Sequence, residues 1–294
     1  MTQRPSPPTS SPAPPSRTYD LVEADYPLWS GPPRGSILVC TQPRSGSTLL
    51  GEALFAAGGF GCPLEYFHRG FRPAFAERWH VAEPQAYLQA VHCHRTDPTG
   101  TLGVKLFWPD VEELYQAHAA TKDKFEPGSL EPRACSPEAA VEIHRAIGRM
   151  IAELFPNASF IHLVRKDRLR QAVSAVVATQ TQVWRLIPGI QDNPPREPPR
   201  FEFHRIAGML SLGEYCRRNW EEFFAANQIE GHPVSYESLD DDFAATMRRL
   251  FATLHRPDAA PLPPRMRRQA DRVSEEMVLQ FLREMRQQAP GVRP

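Results

Sequence analysis

Short apolar runs alternate with amphipathic stretches along most of the chain, and this alternation begins at residue 37. The run ILVC at residues 37–40 is continuous and bounded by turn-forming residues, which is typical of a buried strand. The next stretch, STLLGEALFAAGG, has apolar residues at helical spacing and ends at a Gly-Gly pair, a common helix stop. A strand, a tight turn and a helix at the start of a domain predict an α/β architecture.

The same order of strand, turn and helix recurs further along the chain. A helix is predicted at 139–157, a strand at 158–164, a turn at 165–167 and a helix at 168–184, with another strand at 101–108. Later elements are a Pro-rich loop at 188–200, a long helix at 203–227, a strand and turn at 232–239, and helices at 240–255 and within 265–288. We therefore expect one α/β domain over residues 35–294, with a central, mostly parallel sheet flanked by helices. Residues 1–34 are rich in Pro and Ser and predict a disordered tail.

Composition narrows the possible partners. The 34 Lys and Arg residues balance 34 Asp and Glu residues, whereas a nucleic-acid-binding protein usually has a basic excess. No apolar run approaches the roughly 20 residues that a membrane span needs, and the N-terminus has no apolar signal segment. The five cysteines are scattered and odd in number, which predicts free thiols in the cytoplasm.

The turn between the first strand and the first helix, TQPRSGST at 41–48, carries the candidate chemistry. A Walker-type nucleotide loop needs a Gly-Lys pair, and none is present. A tyrosine-phosphatase loop needs five residues between its cysteine and arginine, but only three separate Cys40 from Arg44. Both kinds of site are therefore excluded.

An anion cradle of a third kind fits the residues. Gly46 allows close approach of the backbone, and the amides of the first helical turn attract negative charge. Arg44 adds a planar set of donors, and the hydroxyls of Ser45, Ser47 and Thr48 donate without adding charge. The loop thus predicts a binder of phosphate or sulfate; helix capping by the same hydroxyls is the alternative.

The loop PRSGST resembles the 5′-phosphosulfate loop of sulfotransferases that use 3′-phosphoadenosine 5′-phosphosulfate (PAPS). The segments GCPLEYF, GVKLFW, HLVRKDRLRQAVSAVVATQTQVWR and RQADRVSEE resemble the mycobacterial trehalose 2-sulfotransferase family, in the same order, over residues 36–288. The resemblance implies a P-loop-like sulfotransferase fold and a homodimer. It also implies sulfuryl transfer from PAPS to a carbohydrate hydroxyl, with the 2-hydroxyl of trehalose as the leading acceptor. We expect no metal, because the donor already has a good leaving group and arginines can bear the charge.

The resemblance assigns the donor site residue by residue. Residues 44–48 would hold the 5′-phosphosulfate, and Arg165 with Ser174 would hold the 3′-phosphate. Arg170 is a further candidate for that second anion site. Arg268, in the basic run at 267–271, resembles part of a late loop that closes over the nucleotide; an ordinary helix start is the alternative.

The acceptor side needs a general base, because the attacking hydroxyl loses its proton. Glu65 resembles the family's base, and His68, which titrates near neutrality, is the rival. Lys105 is a candidate for stabilising charge on the sulfuryl group. Gln42, Tyr66 and Phe67 are further acceptor candidates; these two aromatic side chains, with Trp108 and Trp184, could equally belong to the core. The sequence HCHR at 92–95 has no second Cys/His pair at zinc-like spacing.

Two departures from the family pattern fall where the acceptor is expected to bind. Pro43 is an apparent insertion at the start of the loop, and residues 62–64 read Cys-Pro-Leu instead of an acidic, amide-bearing segment. Two alternatives therefore stay open. One is a sulfotransferase for another glycan or a small hydroxylated metabolite. The other is a non-catalytic protein that binds 3′-phosphoadenosine nucleotides.

Overall fold

Four parallel strands form the sheet in the computed structural model, which describes residues 25–118, 135–189, 197–266, 269 and 272–288. The strands are β1 (Gly35–Thr41), β2 (Thr101–Phe107), β3 (Ala158–Val164) and β4 (His232–Ser235). Their order is β2-β1-β3-β4, and every neighbouring pair is parallel. The predicted strands and the predicted parallel α/β sheet are confirmed.

Helices cover both faces of this sheet. They are α1 (Ser47–Ala57), α2 (Arg72–Arg78), α3 (Pro84–Arg95), α4 (Trp108–His118), α5 (Pro137–Leu154), α6 (Arg168–Thr181), α7 (Phe203–Ala226), α8 (Tyr236–Asp241), α9 (Phe243–Thr253) and α10 (Arg272–Gln288). The sequence pattern did not indicate α2, α3 or α4. The predicted tail up to residue 24, most of the Pro-rich loop (190–196) and residues 267–268 lie outside the described residues.

Side chains of β1 alternate between two cores, as the period of a strand requires. Leu38 and Cys40 pack with α3, α5 and α7 on one face of the sheet. Ile37 and Val39 pack with α1 and α9 on the other face. β1 is central and buried on both faces, which explains why its sequence is continuously apolar.

The carboxyl ends of the parallel strands meet at one edge of the sheet, where α/β proteins place their ligands. Thr41 at the end of β1 donates from its hydroxyl to the Leu163 carbonyl at the end of β3, at 2.7 Å. The indole Nε1 of Trp220 on α7 donates to the Thr41 carbonyl at 3.2 Å. The loop that follows β1 therefore starts from a fixed point.

A buried cation lies beneath the segment that follows α1. Arg95 at the end of α3 is fully buried, and its guanidinium lies 5.6 Å from the ring centroid of Tyr66. Its Nη2 lies 3.1 Å from the carboxylate of Asp25, which also accepts from Arg78 at 2.9 Å. The segment 25–34, in the predicted tail, thus supplies the counter-charge of Arg95.

We expect Asp25→Ala to lower the free energy of unfolding by about 3 kcal/mol, because a buried arginine loses its carboxylate. Urea denaturation measures this change. Glu142→Ala is the control: it breaks an exposed ion pair with Arg145 and should cost at most about 1 kcal/mol. Equal losses in the two variants would contradict this role of Asp25.

Candidate active site

The loop between β1 and α1 presents an uncapped helix N-terminus. Gly46, the N-cap of α1, has a φ of 85°, and no side chain caps the helix. An added Cβ at Gly46 would lie 2.8 Å from the Tyr236 ring, so the turn needs glycine for space as well as for conformation. Among the described residues, the loop hydroxyls therefore do not cap the helix. The amides of the first turn of α1 lie at the positive end of the helix dipole.

Among the described residues, the hydrogen-bond partners of the Arg44 guanidinium are all neutral. Its Nε donates to the Ser174 hydroxyl at 2.9 Å, and its two terminal nitrogens donate to the Trp184 carbonyl and the Gln269 amide oxygen. No carboxylate of the described residues pairs with it. Burial, and then the nearby charge of Arg165, lower the pKa of Arg44 to about 10. An anion bound here would relieve both effects.

The two predicted anion sites belong to one cavity. This cavity, called cavity A, has a volume of about 550 Å³ and is lined by Arg44, Gly46, Ser47, Thr48, Arg165 and Ser174. Arg165 donates from Nη1 to the Arg44 carbonyl at 3.3 Å, and its guanidinium lies 4.7 Å from the Tyr236 ring centroid. Arg170 also lines cavity A, but it pairs with Asp167 and Glu275.

Ser45 serves the loop itself. It is fully buried, its hydroxyl donates to the Gln42 carbonyl at 2.7 Å, and it lies 2.6 Å from the Thr41 hydroxyl. The Ser45 hydroxyl thus fixes the turn and does not line cavity A, whereas Ser47 and Thr48 do.

A second cavity, called cavity B, lies on the other side of the loop. Its volume is about 420 Å³, and its lining includes Gln42, Pro43, His68, Phe107, Asp110 and Arg165. Arg165 lines cavities A and B alike. The two cavities are therefore neighbours that share this arginine in their walls.

Glu65 and Lys105 are brought together next to cavity B. The Lys105 ammonium, almost fully buried on β2, lies 2.7 Å from Glu65 Oε1. The pairing follows from the segment after α1, because Leu64 pairs with Val104 and accepts from the Lys105 amide at 2.9 Å. Glu65 Oε2 has no hydrogen-bond partner among the described residues, so one oxygen remains available.

His68 lines cavity B with a defined tautomer. The Gly70 amide donates to its Nδ1 at 3.1 Å, and an amide can only donate. The neutral ring therefore carries its proton on Nε2 and acts as a donor on that side. This geometry suits a hydrogen bond to an acceptor oxygen better than the removal of a proton.

Comparison with known proteins shows the family of the chain. The model of the family described as Stf0 sulphotransferase matches residues 36–284. The chain belongs to the Stf0 sulphotransferase family. It is similar to the trehalose 2-sulfotransferase of Mycobacterium tuberculosis (strain Erdman), with 28% identity over 269 residues, 82% of this chain and 92% of that protein. It is also similar to the trehalose 2-sulfotransferase of Mycolicibacterium smegmatis, with 28% identity over 277 residues, 84% and 94% of the two chains.

This Stf0 sulphotransferase keeps most of the candidate aromatic side chains in its core. Tyr66, Phe67 and Trp108 are 0%, 5% and 0% exposed and pack in the same core. Trp184 is half exposed and lines cavity A. These four side chains could have belonged to the acceptor site or to the core. The structure places Tyr66, Phe67 and Trp108 in the core.

The departures of this Stf0 sulphotransferase from the family pattern have different surroundings. Cys62 is fully buried, and Pro63 packs beside Gly103 of β2. These two residues support the segment that carries Glu65 and do not line cavity B. Pro43 does line it, and its carbonyl accepts from the Gln171 amide at 2.8 Å.

Sequence patterns did not indicate two residues of the site. Asp110 lines cavity B, and Tyr236 lines cavity A. Both follow the carboxyl ends of strands, which is the signal that could have found them. Arg268 lies outside the described residues. Within the described ranges, no helix is long and apolar enough to cross a membrane, and no cluster of three metal-ligating side chains occurs.

Proposed function

We propose that this Stf0 sulphotransferase transfers a sulfuryl group from PAPS to a carbohydrate hydroxyl, with the 2-hydroxyl of trehalose as the leading acceptor. The observation that carries the donor assignment is Arg44. This partly buried cation lies beside Arg165 and an uncapped helix N-terminus, and it pairs with no carboxylate of the described residues. Such an arrangement calls for a strongly anionic ligand.

The anionic groups of PAPS suit the charged and polar groups that line cavity A. PAPS has a 5′-phosphosulfate and a 3′-phosphate, and the lining of the cavity includes Arg44, Arg165 and the hydroxyls of Ser47, Thr48 and Ser174 beside the α1 amides. In the proposed assignment, the amides of residues 45–48 with Arg44 bind the phosphosulfate. Arg165 and Ser174 bind the 3′-phosphate, and Trp184 offers an apolar surface.

The reaction follows from cavities that share a wall. The acceptor oxygen attacks sulfur, the bond from sulfur to the bridging oxygen breaks, and adenosine 3′,5′-bisphosphate leaves with the bonding electrons. Glu65 takes the hydroxyl proton as general base. Lys105 balances the charge of Glu65, and its proposed role is to stabilise the negative charge of the transferring group. Positioning and charge stabilisation supply the catalysis, as in phosphoryl transfer.

The proposal of trehalose as the acceptor rests on the two similar mycobacterial proteins, which are trehalose 2-sulfotransferases. Another glycan or a small hydroxylated metabolite is the alternative, since Pro43 at the wall of cavity B departs from the family pattern. Incubation with labelled PAPS and a panel of glycans, followed by mass spectrometry, tests both. A sulfo group on no member of the panel would favour the non-catalytic nucleotide-binding alternative.

The donor assignment predicts that adenosine 3′,5′-bisphosphate binds much better than AMP or ATP. Arg165→Ala should weaken bisphosphate binding by about 1.5–3 kcal/mol, the value of a charge-assisted hydrogen bond, and should reduce the preference over AMP. Calorimetry measures both. Arg170→Ala is the comparison, because Asp167 and Glu275 already neutralise that arginine. A preference lost in Arg170→Ala and kept in Arg165→Ala would reverse the assignment.

We also propose a homodimer in the cytoplasm. The dimer rests on the family resemblance. A reducing compartment is supported by the five cysteines, all of which are free thiols. Light scattering that gives a fully active monomer at every concentration would rule out the dimer.

A further inference from the structure

We propose that Asp110 is an acceptor-binding residue, whose carboxylate accepts a hydrogen bond from a second hydroxyl of the acceptor. It would thereby select polyhydroxylated acceptors over simple alcohols. This inference rests on the proposed function and deepens it, since it concerns how the carbohydrate is held in cavity B.

Asp110 has one oxygen in use and one available. It lies in the first turn of α4, directly after β2, and is 3% exposed. Its Oδ2 accepts from the Phe107 amide at 3.2 Å, and its Oδ1 accepts from no described residue. A carboxylate oxygen in so buried a residue is poorly solvated, which favours a hydrogen bond from a ligand. Asp110 lines cavity B, so a ligand hydroxyl there could supply that donor.

The surroundings of Asp110 make its charge sensitive to pH. Burial raises its pKa to about 7, against the lowering effect of the Phe107 amide, and the charges of Glu65 on the preceding segment and Glu113 on α4 raise it further. Lys105 on β2 lowers it, but that ammonium is paired with Glu65. From α7, Cys216 faces Asp110 and has its own pKa raised to about 12, chiefly by burial. Asp110 is therefore ionised above about pH 7 and protonated below it.

A binding role fits Asp110 better than the role of base. Its fixed oxygen is held by the backbone at the start of α4, so the side chain has one orientation in the wall of cavity B. Glu65 already has a free oxygen and a lysine to balance its charge. Two carboxylates that contact two hydroxyls of one sugar would fix which hydroxyl meets the sulfuryl group.

The test compares wild type with Asp110→Asn, at saturating PAPS, with trehalose or whichever panel sugar the wild type sulfates fastest. At pH 8 the KM for the sugar should rise about tenfold or more, the loss expected for a hydrogen bond to a charged group, with kcat changed little. In wild type, kcat/KM should rise with pH through about 7 as Asp110 ionises. In the variant this rise should be absent.

Two further measurements separate binding from structure. Calorimetry with adenosine 3′,5′-bisphosphate should give the same affinity in Asp110→Asn, whose Tm at pH 8 should not fall, because a buried charge has been removed. Glu113→Gln should move the pH-dependent rise to lower pH, since it removes one negative neighbour. Because Glu113 also lines cavity B, the readout of this variant is the pH of the rise and not the KM. A merely structural residue would not produce this shift.

The outcomes also separate this inference from the proposed function. An active wild type with an Asp110→Asn variant of unchanged KM and unchanged pH profile would overturn the inference alone. A large loss of kcat in Asp110→Asn, with turnover retained in Glu65→Gln, would make Asp110 the base and would overturn its binding role. A wild type that sulfates no member of the panel would overturn the proposed function and this inference with it.

Discussion

Glu65→Gln is expected to lower turnover by about 10²- to 10⁴-fold, the usual contribution of a general base, while the affinity for adenosine 3′,5′-bisphosphate stays nearly unchanged. Glutamine keeps the shape of the side chain and can still accept a hydrogen bond from Lys105. It cannot take the proton of the acceptor hydroxyl. Single-turnover kinetics at saturating donor measure the chemical step, and calorimetry measures the nucleotide affinity.

His68→Asn is the matched control, because His68 is the rival base and its ring lines cavity B, whereas Glu65 is not part of that lining. The Gly70 amide occupies its Nδ1, so we expect only the loss of a hydrogen-bond donor, roughly tenfold or less in kcat/KM. A histidine variant that loses turnover while Glu65→Gln keeps it would reverse the two roles. If neither variant changes turnover and sulfation persists, the base is another group. That result would contradict the assignment of Glu65 but not the proposed sulfotransferase activity.

The candidate donor site could be proposed from sequence because its signals are local. The strand at 37–40, the glycine of the turn and the amphipathic helix after it lie within 21 consecutive residues, 37–57, and each has a physical preference for the conformation it adopts. Arg44, Gly46, Ser47, Thr48, Arg165 and Ser174, which line cavity A, belong to one loop and one repeated strand–turn–helix unit. Ser45 differs, because its hydroxyl serves the loop instead of the cavity, and the sequence pattern did not indicate Tyr236.

The acceptor side depends on contacts between distant parts of the chain. Glu65 and Lys105 were both indicated by the family resemblance, but their ion pair depends on the bridge between Leu64 and Val104. The buried charge of Arg95 is compensated by a residue 70 positions earlier, Asp25. Neither pairing has a periodic signature, so propensity and pattern cannot reveal it. The same holds for helices α2–α4, whose sequences mix charged and aromatic residues because they pack around such pairs.

In the proposed reaction, Arg165 is the residue that the donor cavity and the acceptor cavity have in common. Arg165 lines both cavities, and its Nη1 bonds the backbone of the donor loop at Arg44. Positive charge is thus concentrated where a transferring anionic group would pass from donor to acceptor. The carboxylates Glu65 and Asp110 lie on the acceptor side, where protons must be accepted from hydroxyls. This separation of charge fits sulfuryl transfer better than passive nucleotide binding.

Gly61→Ala is expected to lower the free energy of unfolding by about 3–5 kcal/mol and to abolish most of the activity. Gly61 has a φ of 67°, which disfavours any residue with a Cβ by about 1–2 kcal/mol. A Cβ there would also lie 2.2 Å from the Gly103 backbone nitrogen, a contact that backbone atoms must move to relieve. Urea denaturation gives the stability, and turnover is normalised to the folded fraction.

Gly58→Ala provides the control, since Gly58 has a φ of 77° but nothing within 4 Å of an added Cβ. It carries the conformational penalty alone, which for a φ of 77° and a ψ of 154° is about 1–3 kcal/mol, so we expect a loss of that size and nearly normal turnover in the folded fraction. The difference between the two variants isolates the close approach of Gly61 to β2. That approach holds the following residues against the strand, where Leu64 pairs with Val104 and Glu65 meets Lys105. Variants of equal stability and activity would mean that the close contact at Gly61 does not position the base.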